Sequence, residues 1–254
     1  MGFETLRYEV SNGLARLTLN RPDHMNAFTH AMHVEFEELM LAISEDKSIR
    51  AVVLTGAGKF FSGGFDLSAP RREDDEIVIM TSLFRDTHVK LLTMPKPTIT
   101  MLRGHAIAGG LILVLACDYR LGLDGDYKIG LNEVAIGAAY PKVAMEIVRL
   151  RLTHQRAAEL LLGAALYPAS QAVRLGVVDE LFPPDKLEET VMRRAERMGA
   201  FPREAYVHSK MALVEDTVAR VMAEPAEEAA RAAAVWMTPE SRAARAKQRE
   251  KLGK

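Results

Sequence analysis

Residues 104–120 read GHAIAGGLILVLACDYR. After Gly109 and Gly110 the segment stays apolar until Asp118. A helix that is apolar on every side has to be buried on every side. The fold must lay further elements around it, and a chain of 254 residues is long enough to do so. The glycine pair permits close approach of backbone. What approaches is open between two readings: a packed strand, or a bound group facing the first turn of the helix.

The rest of the chain supplies those layers. TLRYEVSNGLARLTLN (5–20) alternates apolar and polar residues on both sides of Asn12-Gly13, a favoured hairpin turn. Residues 28–45 carry Met32, Phe36, Leu39, Met40 and Ile43 at helical spacing, with Thr29 placed to cap them. IRAVVLTGAG (49–58) reads as a buried strand ending in a glycine turn, and 59–76 as loop. A helix is expected over 77–93, a strand over 95–104, then the glycine-led helix. A strand over 118–123 and a short strand with a loop over 127–137 follow. Strands alternating with helices define an α/β architecture. From about Thr153 onward only helices are expected, punctuated by Pro168, Pro183-Pro184 and Pro202. The final stretch is basic, with Arg242, Arg245, Lys247, Arg249, Lys251 and Lys254 against Glu240 and Glu250.

Charge and motifs remove several classes of function. The net charge is −1 with 26% charged residues, so no overall attraction to nucleic acid or a membrane surface is expected. No apolar stretch is long enough for a membrane-spanning helix, and no basic-then-apolar leader precedes the first strand pattern. Cys117 is the only cysteine, which excludes an internal disulfide and a cysteine-based metal site. No metal is expected, and a cytoplasmic, reducing compartment fits best. The GxxxxGK phosphate loop, GxSxG, HExxH and a complete GxGxxG are all absent.

Two segments remain that offer backbone chemistry. SGGFDL (62–67) and HAIAGGLIL (105–113) each follow a buried strand, where α/β proteins form their ligand crevice. The first N–H groups of a helix lack partners within it and favour an anion, phosphate or enolate alike. Glu133 in IGLNEVAIG is the third feature. Flanked by Ile129, Leu131, Val134 and Ile136, it is either a buried carboxylate suited to proton transfer or a strand-end Glu facing solvent.

Taken together, LTLNRPDHMNAF, AVVLTGAGKFFSGGFDL, PKPTITMLRGHAIAGGLILVLACDYRL and RLGVVDELFP resemble the crotonase (enoyl-CoA hydratase/isomerase) superfamily in content, order and spacing. The resemblance implies an α/β fold: a crotonase-like spiral of ββα units over residues 1–197 and a helical C-terminal trimerisation region over 198–254. It implies a homotrimer, or a hexamer made of two trimers. The implied substrate is an acyl-CoA thioester, with coenzyme A arriving as part of it and no separate cofactor. Carried over by position, the backbone N–H groups of Phe65 and Gly109 form an oxyanion hole for the thioester enolate. Phe65 stands where the family usually has Ala. Coenzyme A is expected along the backbone of His24, Met25, Ala27, Gly63, Phe65 and Leu67. The basic tail is read as a solvated helix face rather than a phosphate site.

The family's hydratases use two glutamates. The first lies three residues beyond the oxyanion-hole glycine, where this chain has Ile112; the second is kept as Glu133. Isoleucine neither accepts a proton nor orients water, and losing one of two cooperating acid–base groups costs roughly 10²–10⁴-fold. Moving a proton from C2 to C4 of an acyl group needs a single base, as in the family's Δ3,Δ2-enoyl-CoA isomerases. That branch is the expectation, with Glu133 as the base and Ile112, Ile136 and Tyr140 lining the substrate pocket. Its rivals are a hydratase or another crotonase-type lyase or hydrolase, and a non-catalytic acyl-CoA-binding trimer. Trp236 has two readings, packing on a neighbouring subunit or covering the coenzyme A mouth.

Overall fold

The computed structural model describes residues 2–66 and 74–251; Leu67 and Lys254 lie outside the described residues, as do the side chains of Arg249 and Lys251. The alternating segment folds as the expected hairpin. Strands β1 (Leu6–Ser11) and β2 (Leu14–Leu19) pair antiparallel. Asn12 and Gly13 sit at φ 53° and 73°, the left-handed pair that matches strand twist. In helix α1 (His30–Glu45) the Thr29 hydroxyl accepts from Met32 N at 3.2 Å. The five apolar residues at helical spacing are all buried. Strand β3 (Ala51–Gly56) is buried on both faces between β2 and the next strand, both parallel to it.

A strand–strand–helix unit then repeats. Strand β4 (Phe60–Ser62) precedes α2 (Asp74–Leu92). Strands β5 (Thr98–Leu102) and β6 (His105–Ile107) precede α3 (Gly109–Ala116). Strands β7 (Tyr119–Leu123) and β8 (Lys128–Gly130) precede α4 (Lys142–Arg151). The first strand of each unit joins one sheet and the second joins another, so the chain winds as a spiral. After α5 (His154–Gly163) come β9 (Tyr167–Pro168), α6 (Ala172–Leu175) and β10 (Glu180–Phe182). The larger sheet has the order β1-β2-β3-β5-β7-β10 and the smaller β4-β6-β8-β9. Every residue of α3 is buried between them and the surrounding helices.

Two expectations are corrected. Residues 59–76 are not all loop, because β4 pairs in parallel with β6. Strands also continue past Thr153, since β9 pairs with β8 and β10 completes the larger sheet beside β7. Strands this short have no room to show an alternating pattern. Their partners place them.

The C-terminal helices pack on both sides of this frame. Leu187, Val191, Ala195 and Met198 of α7 (Pro184–Gly199) cover the outer face of the larger sheet against Leu14, Val53, Ile99 and Leu121. Helix α8 (Arg203–Met222) is tied down where the Lys210 ammonium and the Tyr206 hydroxyl both donate to Asp118 at 2.8 Å. Helix α9 (Ala226–Met237) packs on α2, and α10 (Pro239–Lys251) packs on α9 and on residues 134–136. Among the described residues no helix is long and apolar enough to cross a membrane.

Candidate active site

Because β4 and β6 lie side by side, the loops that follow them meet. Gly110 marks the contact: a Cβ there would stand 2.3 Å from the Ser62 carbonyl oxygen, so only glycine fits. Gly64 lies at φ 83°, and a Cβ on it would sit 3.1 Å from Gly109 N and 3.0 Å from Ala108 Cβ. Ala108 holds φ 53°, ψ −133°, a conformation that L-residues rarely keep and that clusters at functional sites. Phe28 forms a parallel bridge to the other loop, donating to Gly64 O at 2.7 Å and accepting from Asp66 N at 3.1 Å. That pattern turns the N–H of Phe65 away from Phe28. Among the described residues neither the Phe65 N–H nor the Gly109 N–H has an acceptor, and both residues line one cavity. Gly110 serves packing against Ser62, while Gly109, where a Cβ would stand 2.9 Å from the Phe84 ring, also brings a donor to the cavity.

Gly64→Ala is expected to strain the left-handed backbone and press a methyl against Gly109 N. An oxyanion-hole donor is worth on the order of 10² in turnover. A drop of that order in kcat is the expected result for the variant; unchanged kcat, with thermal unfolding also unchanged, removes this contact from the site.

Asn26 staples the two loops to the body of the protein, and nothing in the sequence pattern marked it. Fully buried, it donates from its side chain to Ala57 O at 2.9 Å and Phe60 O at 2.6 Å. It accepts from Arg21 N at 2.7 Å. Arg21 in turn pairs with Asp66 at 3.2 Å, so Asp66 fixes the loop after Phe65.

Glu133 faces the loops from the end of the β8 segment, where it opens one turn of 3-10 helix, Val134–Ile136. It is buried, at 8% exposure, and its Oε2 has no hydrogen-bond partner among the described residues. Burial, the leading cause, pushes its pKa up to about 7; hydrogen bonds from its own backbone and from the Tyr140 hydroxyl only partly oppose this. A carboxyl group with a free oxygen and a pKa near neutrality can both take and return a proton.

The cavity has a volume of about 160 Å³. Met25, Gly63 and Phe65 line it from the loop side, and Glu133, Ile136 and Ala138 from the other. Phe84 of α2, Trp236 of α9 and Gln248 of α10 close it. Among the described lining residues Glu133 is the only carboxylate. Two residues expected on the pocket wall, Ile112 and Tyr140, lie elsewhere, and two expected along coenzyme A, Ala27 and His24, do not line this cavity. Ile112 is one turn inside α3 and sits wholly in the main core, so it forms no part of the wall. Tyr140 is behind the wall, its hydroxyl 3.2 Å from Leu131 O and from Leu161 O. Ala27 is buried, and its carbonyl already accepts from Arg21 at 2.7 Å. His24 is exposed on the preceding turn and does not reach the cavity. The tail is not simply a solvated face: Arg245 is buried, donates to Gly137 O at 3.0 Å and to Trp236 O, and lies over the Trp236 ring. No cluster of potential metal ligands occurs among the described residues. Sequence reasoning missed Phe84 and Gln248 altogether.

Parallel strand–strand–helix units wound around such a cavity are the crotonase architecture. Residues 9–251 match the enoyl-CoA hydratase/isomerase family, and the chain belongs to that family of enzymes. A Thermus thermophilus relative provisionally named enoyl-CoA hydratase is 35% identical over 196 residues, 75% of this chain and 76% of the relative. The (E)-benzylidenesuccinyl-CoA hydratase of Thauera aromatica is 32% identical over 197 residues, 76% of this chain and 75% of that protein. Human mitochondrial Δ3-Δ2-enoyl-CoA isomerase superposes with a TM-score of 0.93 over 98% of each chain at 22% identity, a likeness of fold.

Proposed function

We propose that the protein moves the double bond of a 3-enoyl-CoA to the 2-position. The observation that carries this reading is that, among the described residues, a single carboxylate, Glu133, lines an apolar cavity together with two backbone donors that have no acceptor. With the thioester oxygen against the N–H groups of Phe65 and Gly109, Glu133 takes a proton from C2. The electron pair moves onto the carbonyl oxygen, giving an enolate that the two donors stabilise without reorganising. The enolate then collapses toward C4, the carboxyl group returns the proton there, and the double bond lies between C2 and C3. The walls formed by Phe65, Phe84, Ile136 and Trp236 keep water from the intermediate. The coenzyme A portion approaches over Met25 and Gly63 as part of the substrate.

The base must be ionised to accept the C2 proton. With Glu133 at about 7, kcat/KM for trans-3-hexenoyl-CoA rises with pH up to that region and levels above it. A profile flat through neutrality removes Glu133 from the role. The relatives' names favour a second reading, hydration of a 2-enoyl-CoA. Assaying both reactions on one preparation separates them. Faster hydration of trans-2-hexenoyl-CoA than isomerisation of trans-3-hexenoyl-CoA replaces the first reading with the second.

A further inference from the structure

The cavity that holds Glu133 has a neighbour. A second cavity, of about 210 Å³, lies between α2, α4 and α9. Thr81 and Ser82 bound it on the α2 side, Val143 on the α4 side, and Ala229, Ala232 and Ala233 on the α9 side. The two cavities share two residues, Pro141 and Trp236. Helix α2 also serves both, with Phe84 in the first and Arg85 in the second. The indole is the wall between them.

That wall is held from several directions. The Trp236 Nε1–H donates to Ala139 O at 3.1 Å. Its ring meets Phe65 edge-on at 6.1 Å, so it stands beside one of the two oxyanion donors. The Arg245 guanidinium lies 5.3 Å from the ring centroid. The small side chains of Ala229, Ala232 and Ala233 leave space behind it. Trp236 belongs to the last turn of α9, so its hold depends on how α9 and α10 close over the site.

We propose that Trp236 sets the acyl-chain limit of this enzyme: the indole ends the first cavity, and its removal admits the far end of a longer acyl chain into the second. The proposal rests on the acyl-CoA reading of the Glu133 site and adds its specificity. A short acyl group finishes against the indole. A longer one meets the ring; the space beyond it is walled by alanines, Val143 and Pro141 together with Thr81, Ser82, Arg85, Lys142 and Glu224.

The test is calorimetric binding of saturated thioesters, which needs no turnover. Wild type is expected to bind hexanoyl-CoA more tightly than dodecanoyl-CoA. Trp236→Ala is expected to shift that ratio toward dodecanoyl-CoA by at least about tenfold, since each methylene newly buried contributes several-fold in affinity. Adding Ala233→Phe to Trp236→Ala refills the second cavity and is expected to reverse the shift. Trp236→Phe, a milder change, shifts the ratio in the same direction by less and serves if the alanine variant does not fold. An unchanged ratio in the variant that folds, or an equal loss for both thioesters, overturns the proposal. Turnover of trans-3-hexenoyl-CoA by the same proteins reports separately on the isomerase reading. A shifted ratio with no isomerisation upholds the wall and sinks only that reading, whereas no binding of either thioester by wild type sinks both.

Discussion

Glu133→Gln is expected to lower turnover of trans-3-hexenoyl-CoA by roughly 10²–10⁴-fold, the range for loss of a positioned acid–base group. Hexanoyl-CoA binding is kept, because glutamine has nearly the same shape and the donors at Phe65 and Gly109 are untouched. The variant also carries a signature in stability. The ordinary value for this carboxyl is 4.5, and burial raises it to about 7 in the folded protein. A group raised in this way contributes stability that is fully present below its unfolded value and is lost as pH rises through its folded value. The wild-type protein is therefore expected to lose about 3 kcal/mol relative to Glu133→Gln between about pH 4 and about pH 8. A carboxyl group held this way costs stability at neutral pH, a cost that catalytic groups often carry. Urea unfolding of both proteins at the two ends of that range measures the difference, and kinetics on the same samples measures turnover. A Gln variant that isomerises at the wild-type rate ends the assignment.

How much of this is legible in the sequence follows from where the information lies. Helix α1 and strand β3 announce themselves because their burial repeats over many residues. Strands β9 and β10 cannot, since two or three residues carry no period and only their partners define them. The loops after β4 and β6 are legible as glycine clusters, but what each glycine of the pair packs against needs the distances to Phe84 and Ser62. Ile112 shows the limit most clearly. Its identity is informative, because no carboxylate stands there. Its expected place on the wall is not, because helix direction decides that, and α3 runs from the cavity straight into the core. Phe84 and Trp236 arrive from α2 and α9, far from the loops in the chain. An aromatic residue in such a helix has the same local pattern whether it fills a core or faces a substrate.

Behind Phe65 lies a cluster whose chemistry predicts a second large effect, on acidification. Phe28 and His33 lie with ring centroids 5.3 Å apart, Phe84 and His88 at 3.9 Å, and Phe65 and Phe84 at 5.1 Å. Both histidines are buried. His88 Nδ1 lies 2.7 Å from Phe84 O, which can only accept, so that nitrogen carries the proton. Burial is the first cause that lowers His33 to about 3 and His88 to about 4 from an ordinary 6.5. Hydrogen bonding to the backbone offsets only part of that cost at His88. With folded values depressed, the unfolded chain binds protons first as pH falls below 6.5, and stability falls with it. Two such groups cost about 4 kcal/mol between about pH 7 and pH 5. Glu133 acts with the opposite sign over the same interval, so the effect is cleanest in the Glu133→Gln background. There, His88→Leu is expected to remove about half of the loss, read as the change in unfolding free energy between the two pH values. If that change is the same with and without the His88→Leu substitution, the buried histidines are not what makes the wall behind Phe65 acid-sensitive.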